Sequence, residues 1–490
     1  MTADRRDDLL VLLAAALPLA VLLLRERLIA GSAGFPLDDS WIHLHFARNI
    51  AEGAGFSYNP HHPVAGSTAP LWTLLLGAAA RLAGASLLTA KVVGVATTIS
   101  AAFLLRRAAL AWGLDGPAAL TVAVLFLWAG PVAWGALSGM EVSLAALLVS
   151  GALLAQARDR SATVAILLSL AVLARPEAVI LIPLFVLAGP ITVRRVALFA
   201  VVAAVLLTPF VLFSLVTVGS PIPSTASAKI EGGLVGWLRG VHEAAFRTWI
   251  ARPREFLAAW FSWLFRTHWL LPLAVLPGVV LVWRRKGWAL AAPALALIVH
   301  PLAMALIAPY RDPGFQEGRY SMHLLPLALL VLAVSVAHVT PARRSVLLAA
   351  ALAVAVILLP RASIQYAWGV QNINAMQVHL GRWLATHVAR DAQLAVNDIG
   401  AIAYFSRRPV IDLMGLVTPE ILPYRRRGEP GVIEYVQETC PDYVVVFPAW
   451  FPQLTARDDM LEPIYRVRLT RNEVSGADEM VIYRFRRCAV

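Results

Sequence analysis

Two adjacent carboxylates, Asp38 and Asp39, open a stretch crowded with Asp, His, Arg, Asn, Gly and Pro: Phe35 to Trp72, FPLDDSWIHLHFARNIAEGAGFSYNPHHPVAGSTAPLW. A carboxylate at the mouth of a membrane cavity can take the proton of a hydroxyl as that hydroxyl attacks a carbon electrophile. The same spacing suits a helix cap beside a solvated neighbour. Glu141, in S-G-M-E-V, is a second acidic candidate, with a first-turn Glu favoured by the helix dipole as its plainer reading. Arg175 and Glu177 flank Pro176 inside an apolar stretch, where ionisable groups face a cavity or each other. Lys229, in P-I-P-S-T-A-S-A-K, and Arg319 with Tyr320, in E-G-R-Y, carry the chemistry of a phosphate site, since Arg offers a bidentate fork and Lys a point charge. Either cation could equally snorkel to a membrane interface.

These side chains need elements to hold them. The run after Asp39 reads as a helix, with Asp39 able to cap its first turn. At about 100° per residue, His45, Arg48, Asn49 and Glu52 share a face beside Trp41, while Ile42, Phe46 and Ile50 share another. Such a helix should lie along the membrane surface, apolar side down and polar side up. His45 and Arg48 thereby join Lys229, Arg319, Arg175, Glu177 and Tyr320 as candidates for substrate or phosphate binding. Gly53, Gly55, Asn59, Pro60, Pro63 and Gly66 then build a tight loop. His43, His45, His61 and His62 invite a metal reading, but His43 and His45 point about 200° apart on a helix and do not share one ion.

The chain of 490 residues is 59% hydrophobic and 15% charged, with a mean hydropathy of +0.70. A soluble domain is about 25% charged, so the composition argues for an integral membrane protein. The net charge of +12 comes largely from Arg doublets between apolar segments. They read as topology signals and not as a nucleic-acid surface. The first apolar run, Leu9 to Leu24, lacks a small-x-small exit and reads as a retained span, not a cleaved signal.

Further apolar runs follow at 86–105, 117–136, 141–157, 161–175, 177–189, 195–218, 268–283, 287–309, 321–338 and 344–360, which with the first makes about eleven transmembrane helices. Leaving 70–84 out as a re-entrant or surface helix puts Arg106-Arg107, Arg158-Arg160, Arg194-Arg195, Arg284-Arg285-Lys286 and Arg343-Arg344 on the side of Arg5-Arg6. The N-terminus is then cytoplasmic. Loops 25–69, 138–141, 219–267 and 310–320, and everything after Pro360, are then extracytoplasmic.

From Arg361 the composition becomes that of a soluble domain. Helices are expected at Asn374–Ala389 and Gly431–Thr439, and strands at Leu394–Val396, Val410–Leu413, Tyr443–Phe447, Ile464–Leu469 and Met480–Phe485. The expected organisation is a transmembrane catalytic domain over 1–360 and a soluble α/β domain over 361–490. Asn397-Asp398 reads mainly as a turn. The domain has no G-x-G-x-x-G, P-loop or G-x-S-x-G motif, which leaves the chemistry to the membrane part. Only Cys440 and Cys488 occur; they could pair if exported, and their spacing does not settle it.

The pair Asp38-Asp39, then W-I-H-L-H-F-A-R-N-I-A-x-G-x-G-F-x-Y-N-P and G-S-T-A-P-L-W, resembles bacterial membrane glycosyltransferases of GT-C type that use polyprenyl-phosphate-linked sugars. Among these, it resembles the arabinofuranosyltransferase B type of actinobacterial cell-wall synthesis and, more distantly, lipid A aminoarabinose transferases and protein O-mannosyltransferases. The resemblance implies an α-helical polytopic membrane protein with juxtamembrane helices, placed in the bacterial inner membrane. It implies transfer of a sugar, with inversion, from the lipid-linked donor to a cell-envelope glycan or lipid acceptor on the outer face. It puts the base on Asp38, with Asp39 as cap, second carboxylate or metal ligand, and Glu141 as a further acidic residue. Some relatives bind a divalent cation such as Mg or Mn near the first-loop carboxylates, through an acidic residue before G-x-T; Ala65 stands there in this chain. A multispan lipid-linked-glycan transporter or flippase is the rival from another class, though transporters gather polar residues at mid-membrane. A glycan polymerase or ligase is another.

Overall fold

The computed structural model describes residues 3–229, 232–238, 240–337 and 339–486. Cys488 lies outside the described residues, and with it the question of a Cys440–Cys488 pair. The chain divides into two compact units, one of residues 1–23, 92–209 and 230–363, the other of 24–91, 210–229 and 364–490. Each is described by itself.

The first unit is helical. Val142–Ala157 and Ser161–Ala174 lie wholly within it, while the apolar helices Ala3–Ala30, Leu87–Ala111, Val193–Val218 and Pro341–Ile373 each run on from it into the chain of the second unit. The segment expected to cross at 117–136 is two helices, Gly116–Trp128 and Gly130–Leu137, bent by 60°. Pro131 at the start of the second cannot donate to the preceding turn, which accounts for the break. Among the described residues, five helices are long and apolar enough to cross a membrane, or six with the bent pair taken as one. The remaining apolar runs form shorter helices, so the chain is a multi-pass helical membrane protein without a fixed count of eleven crossings. Val205, Leu212 and Val216 on Val193–Val218 are exposed large apolar residues, which suits a lipid-facing helix. Pro70–Ala83, which belongs to the second unit, has 14 residues, about 21 Å at 1.5 Å per residue and short of a bilayer core of roughly 30 Å.

The second unit is built on a five-stranded mixed sheet in the order β2-β1-β3-β5-β4. The strands are β1 Leu394–Val396, β2 Val410–Asp412, β3 Tyr443–Val446, β4 Leu461–Arg468 and β5 Glu479–Phe485. Strands β1, β2 and β3 are mutually parallel, and β5 is antiparallel to β3 and β4. Every expected strand is present to within three residues. Successive residues alternate between two buried layers: Leu394, Val396, Val445 and Ile482 face one core, Ala395, Val444, Val446 and Val481 the other. Burial on both faces is why β1 and β3 read as continuous apolar runs.

One of those layers corrects the sequence reading. Ile42, Phe46, Tyr58 and Val64, from the first polar stretch, pack with Met376, Leu380 and Leu384 against the sheet. The helix Asp39–Ala51 does present Ile42 and Phe46 on one face, but that face meets the sheet core and not lipid. Its polar face is not solvated either, since Ser40 to Asn49 are all buried.

Candidate functional site

The carboxylate pair sits in the second unit, and the two residues have separate surroundings. Asp38 is 6% exposed. It occupies the N-cap position of Asp39–Ala51 but makes no side-chain bond to that helix. Its Oδ2 accepts from the Gly400 amide at 2.6 Å and its Oδ1 from the Ala401 amide at 2.7 Å. Asp38 thus caps the helix Gly400–Ser406, satisfying amides that a helix start leaves without partners. The expected cap, Asp39, is the first helical residue. Its side chain is 29% exposed, and its Oδ2 lies 3.7 Å from Lys229 Nζ.

Asp398, read from the sequence as a turn residue, faces Asp38. Burial first, and then the Asp398 carboxylate, hold Asp38 well above the usual carboxylate range, against the pull of the two amides. Asp398 is raised as well, again by burial first, while Asp38 and Gln377 hydrogen-bond to it. Gln377 Nε2 donates to Asp398 Oδ2 at 2.7 Å. One proton shared between the two carboxyls would relieve the repulsion of like charges in a buried place. Asp39 and Lys229 also act on Asp398 through their charges, so four ionisable side chains and one amide form a single cluster. The signal that could have found Asp398 is its place, a polar pair just after the C-terminal end of a parallel strand, where α/β sheets put their binding residues.

His45 and Arg48 are bound into the fold. His45 Nε2 is 2.9 Å from the Tyr58 carbonyl, and Arg48 reaches His45 Nδ1 at 2.9 Å and the Tyr404 carbonyl at 2.8 Å. Burial and then the Arg48 charge lower His45 to about 3, which keeps it neutral at physiological pH. The Y-N of the motif is likewise structural. Tyr58 donates to the Ile399 carbonyl, and the Asn59 side chain pairs with both backbone groups of Val410 on edge strand β2. Ser224 Oγ donates to the carbonyls of Ala65 and Leu416, tying the segment before Lys229 to G-S-T.

The other acidic and basic candidates gather in the first unit. Arg175 follows the helix Ser161–Ala174 in extended backbone, φ −146° and ψ 113°, as the residue before a proline should. Its guanidinium donates to Glu141 and, at 3.1 Å, to Glu177. It also lies 4.6 Å above the Tyr320 ring, while Arg319 lies 5.2 Å from the same ring and donates to Gln316. Glu141 is 1% and Arg175 2% exposed. Glu141 sits at the N-cap of Val142–Ala157 without a side-chain bond to that helix, and its carboxylate meets the Arg175 guanidinium. His300 and His323, buried and 5.4 Å apart, lie in the same unit.

A divalent ion needs several oxygen or nitrogen donors converging on one point. Among the described residues, no group of three His, Cys, Asp or Glu side chains could hold one. Asp38 gives both oxygens to amides, Asp39 stands beside Lys229, and Ala65 offers no donor before G-S-T. These residues do not fit a resident Mg or Mn ion.

Solved structures share this architecture. ArnT from Cupriavidus metallidurans, in the apo state and bound to undecaprenyl phosphate, matches with a TM-score of 0.60 at 13% and 14% identity, over 96% of this chain and 97% of that one. The Archaeoglobus fulgidus oligosaccharyltransferase AglB, in complex with an inhibitory peptide and a dolichol-phosphate, matches with a TM-score of 0.55 at 11% identity, over 93% of this chain and 73% of that one. Another structure of the archaeal protein contains Zn and sulfate. The fold is that of GT-C glycosyltransferases. Identities this low carry the fold alone. A family model described as a domain of unknown function, DUF8728, matches residues 369–483. No curated protein matches the chain in sequence.

Proposed function

We propose that this GT-C-fold protein is an integral membrane glycosyltransferase. It moves a sugar from a polyprenyl-phosphate-linked donor to a cell-envelope glycan or lipid acceptor. The observation that carries the reading is the part-exposed Asp39 carboxylate beside Lys229, backed by the buried Asp38–Asp398 pair. The positive-inside pattern supports a bacterial inner-membrane location with this cluster on the outer face.

The base is then Asp39, and not Asp38 as the resemblance implies. Asp38 has both oxygens occupied by amides and little access, whereas a general base must reach the proton it removes. Asp39 takes the proton of the acceptor hydroxyl, and the oxygen bonds to the anomeric carbon opposite the phosphate. The bond from that carbon to the phosphate oxygen breaks, and polyprenyl phosphate leaves with the electron pair. One displacement inverts the carbon. Lys229 offers positive charge to the leaving phosphate. In the other unit, Arg319 beside Tyr320 is a separate candidate for lipid-phosphate contact. Arg175, held by Glu141 and Glu177, serves to position that segment.

The test is transfer in membranes from radiolabelled polyprenyl-phosphate sugars to native envelope acceptor, for the wild type, Asp39→Asn and Asp38→Asn. Transfer lost in Asp39→Asn with unchanged melting supports the reading. Full turnover by Asp39→Asn, with transfer lost in a normally stable Asp38→Asn, returns the base to Asp38. No transfer by the wild type from any donor overturns the activity.

A further inference from the structure

The second unit holds a cavity of about 300 Å³ that none of the roles above uses. Trp41, Tyr404 and Phe405 form its aromatic wall, with ring centroids 4.8 to 5.1 Å apart and interplanar angles from 44° to 81°. Arg382, Asn374 and Ser86 supply polar groups around it. The Arg382 guanidinium lies 5.0 Å from the Phe405 ring. Asn374 is fixed by its amide, which donates to Ser32 Oγ at 3.1 Å. Trp41 is 3% exposed, and its indole N–H has no acceptor among the described residues. Buried indole N–H groups usually find one.

Aromatic faces with a few fixed hydrogen-bonding groups match a sugar ring, which has an apolar C–H face and a rim of hydroxyls. The volume falls at the low end of small-ligand sites. A single cation, set over a ring, is a poor match to a phosphate; the lysine of the carboxylate cluster is the better one. The cavity is also tied covalently to that cluster. Trp41 lies two residues beyond Asp39, and Tyr404 and Phe405 stand on the helix that Asp38 caps. We propose that this cavity is a carbohydrate subsite that holds a sugar ring of the acceptor glycan, near the hydroxyl to be glycosylated. The inference rests on the transferase reading for its acceptor role, but the binding itself can be measured without turnover.

The experiment uses the full-length protein in detergent, with α-arabinofuranosyl, α-mannosyl and β-glucosyl trisaccharides as probes. Binding is read by saturation-transfer NMR and tryptophan fluorescence. Ala33→Trp fills the cavity from an exposed wall position, and Arg382→Ala removes an exposed polar group, so neither threatens the core; melting curves check this. At least one trisaccharide should bind the wild type, and each variant should weaken it about tenfold, the equivalent of one good contact. In the transfer assay the acceptor KM should rise by a similar factor, with kcat and the donor KM unchanged. No saccharide binding to the wild type overturns the subsite, as does binding that both variants leave intact. Displacement of bound lipid with no response to saccharide also overturns it and makes the cavity a lipid site. A wild type that binds saccharide through this cavity, yet transfers from no donor, keeps the subsite and sinks the transferase reading.

Discussion

The Asp38 carboxylate caps a helix that starts 362 residues later in the chain, accepting from the Gly400 amide at 2.6 Å and the Ala401 amide at 2.7 Å. Removing it leaves two buried N–H groups without acceptors, at about 1–3 kcal/mol. Asp38→Ala should therefore lower the melting temperature of the detergent-purified protein clearly. The near-isosteric Asp38→Asn should also lower it, by less, because its NH2 group would oppose a backbone N–H. Unchanged melting in both would remove the anchoring role.

Asp39 and Lys229 should behave in the opposite way. Both side chains are partly exposed, and such surface pairs contribute about 0–1 kcal/mol. Asp39→Asn should leave melting almost unchanged while lowering kcat by roughly 10²–10⁴, the usual worth of a general base. Lys229→Met should raise the donor KM as well as lower kcat. A variant of Asp39 that loses stability and not turnover would make this pair a structural one.

The Glu141–Arg175 pair separates structure from chemistry by a double substitution. Arg175→Met alone strands a buried Glu141 carboxylate, at about 3–5 kcal/mol. Glu141→Leu with Arg175→Met removes both charges and should recover most of that loss, since the remaining partner, Glu177, has a side chain 23% exposed. Transfer by the recovered double variant, measured in membranes, then decides whether the pair takes part in transfer beyond holding the fold. A stable but inactive protein would say that Glu141 or Arg175 does, and a stable, active one would make the pair structural.

Composition and periodicity carried most of the fold. The apolar runs became helices, the Arg175-Pro176 break fell where proline chemistry puts it, and the five strands stood close to their expected places. What the sequence could not carry was partnership across hundreds of residues. Ile42 and Phe46 form a stripe whether they face lipid or a sheet core, and only the pairing of residues 35–72 with 364–490 decides which. Asp38 and Asp39 are chemically identical side by side, and it took the amides of Gly400 and Ala401 to tell them apart. Asp398 followed a strand in plain view, but nothing local marks a turn carboxylate as buried against another. His45 and Arg48 looked like a ligand-binding face because their acceptors are backbone carbonyls, which no sequence pattern displays.

Asp412 gives the second unit a pH dependence of known sign. Burial raises its carboxyl from 3.8 to about 6, although the amides of Met414, Leu416 and Val417 pull the other way. The folded state thus keeps a proton that the unfolded chain releases from about pH 4 upward. This contribution is fully present below about pH 4 and is lost as pH rises through about 6, a change of about 3 kcal/mol. The melting temperature should fall over that window. Asp412→Asn should start lower, having one acceptor oxygen fewer, and show a flatter slope there. An unchanged slope would assign the titration elsewhere, with the Asp38–Asp398 pair the next group to test.

Gly400 leaves no room for a side chain. A Cβ there would meet the Asp38 carbonyl oxygen at 2.1 Å and Asp38 Oδ2 at 2.7 Å. The first contact is backbone, so no rotamer change relieves it, and the capped helix must move away from the first loop. Gly400→Ala should cost about 1–3 kcal/mol from overpacking, more if both Asp38 bonds break with it. Gly31 provides the control: its Cβ would meet nothing within 4 Å, though its φ of +69° still disfavours a side chain. Gly31→Asn, which tolerates that backbone, should be near neutral. Melting curves for the two variants test this directly. If Gly400→Ala melts like the wild type, the close approach of Asp38 to this helix is not a tight constraint. If it melts early and also loses transfer, the anchoring of the carboxylate loop on Gly400–Ser406 is what holds Asp39 in place to act.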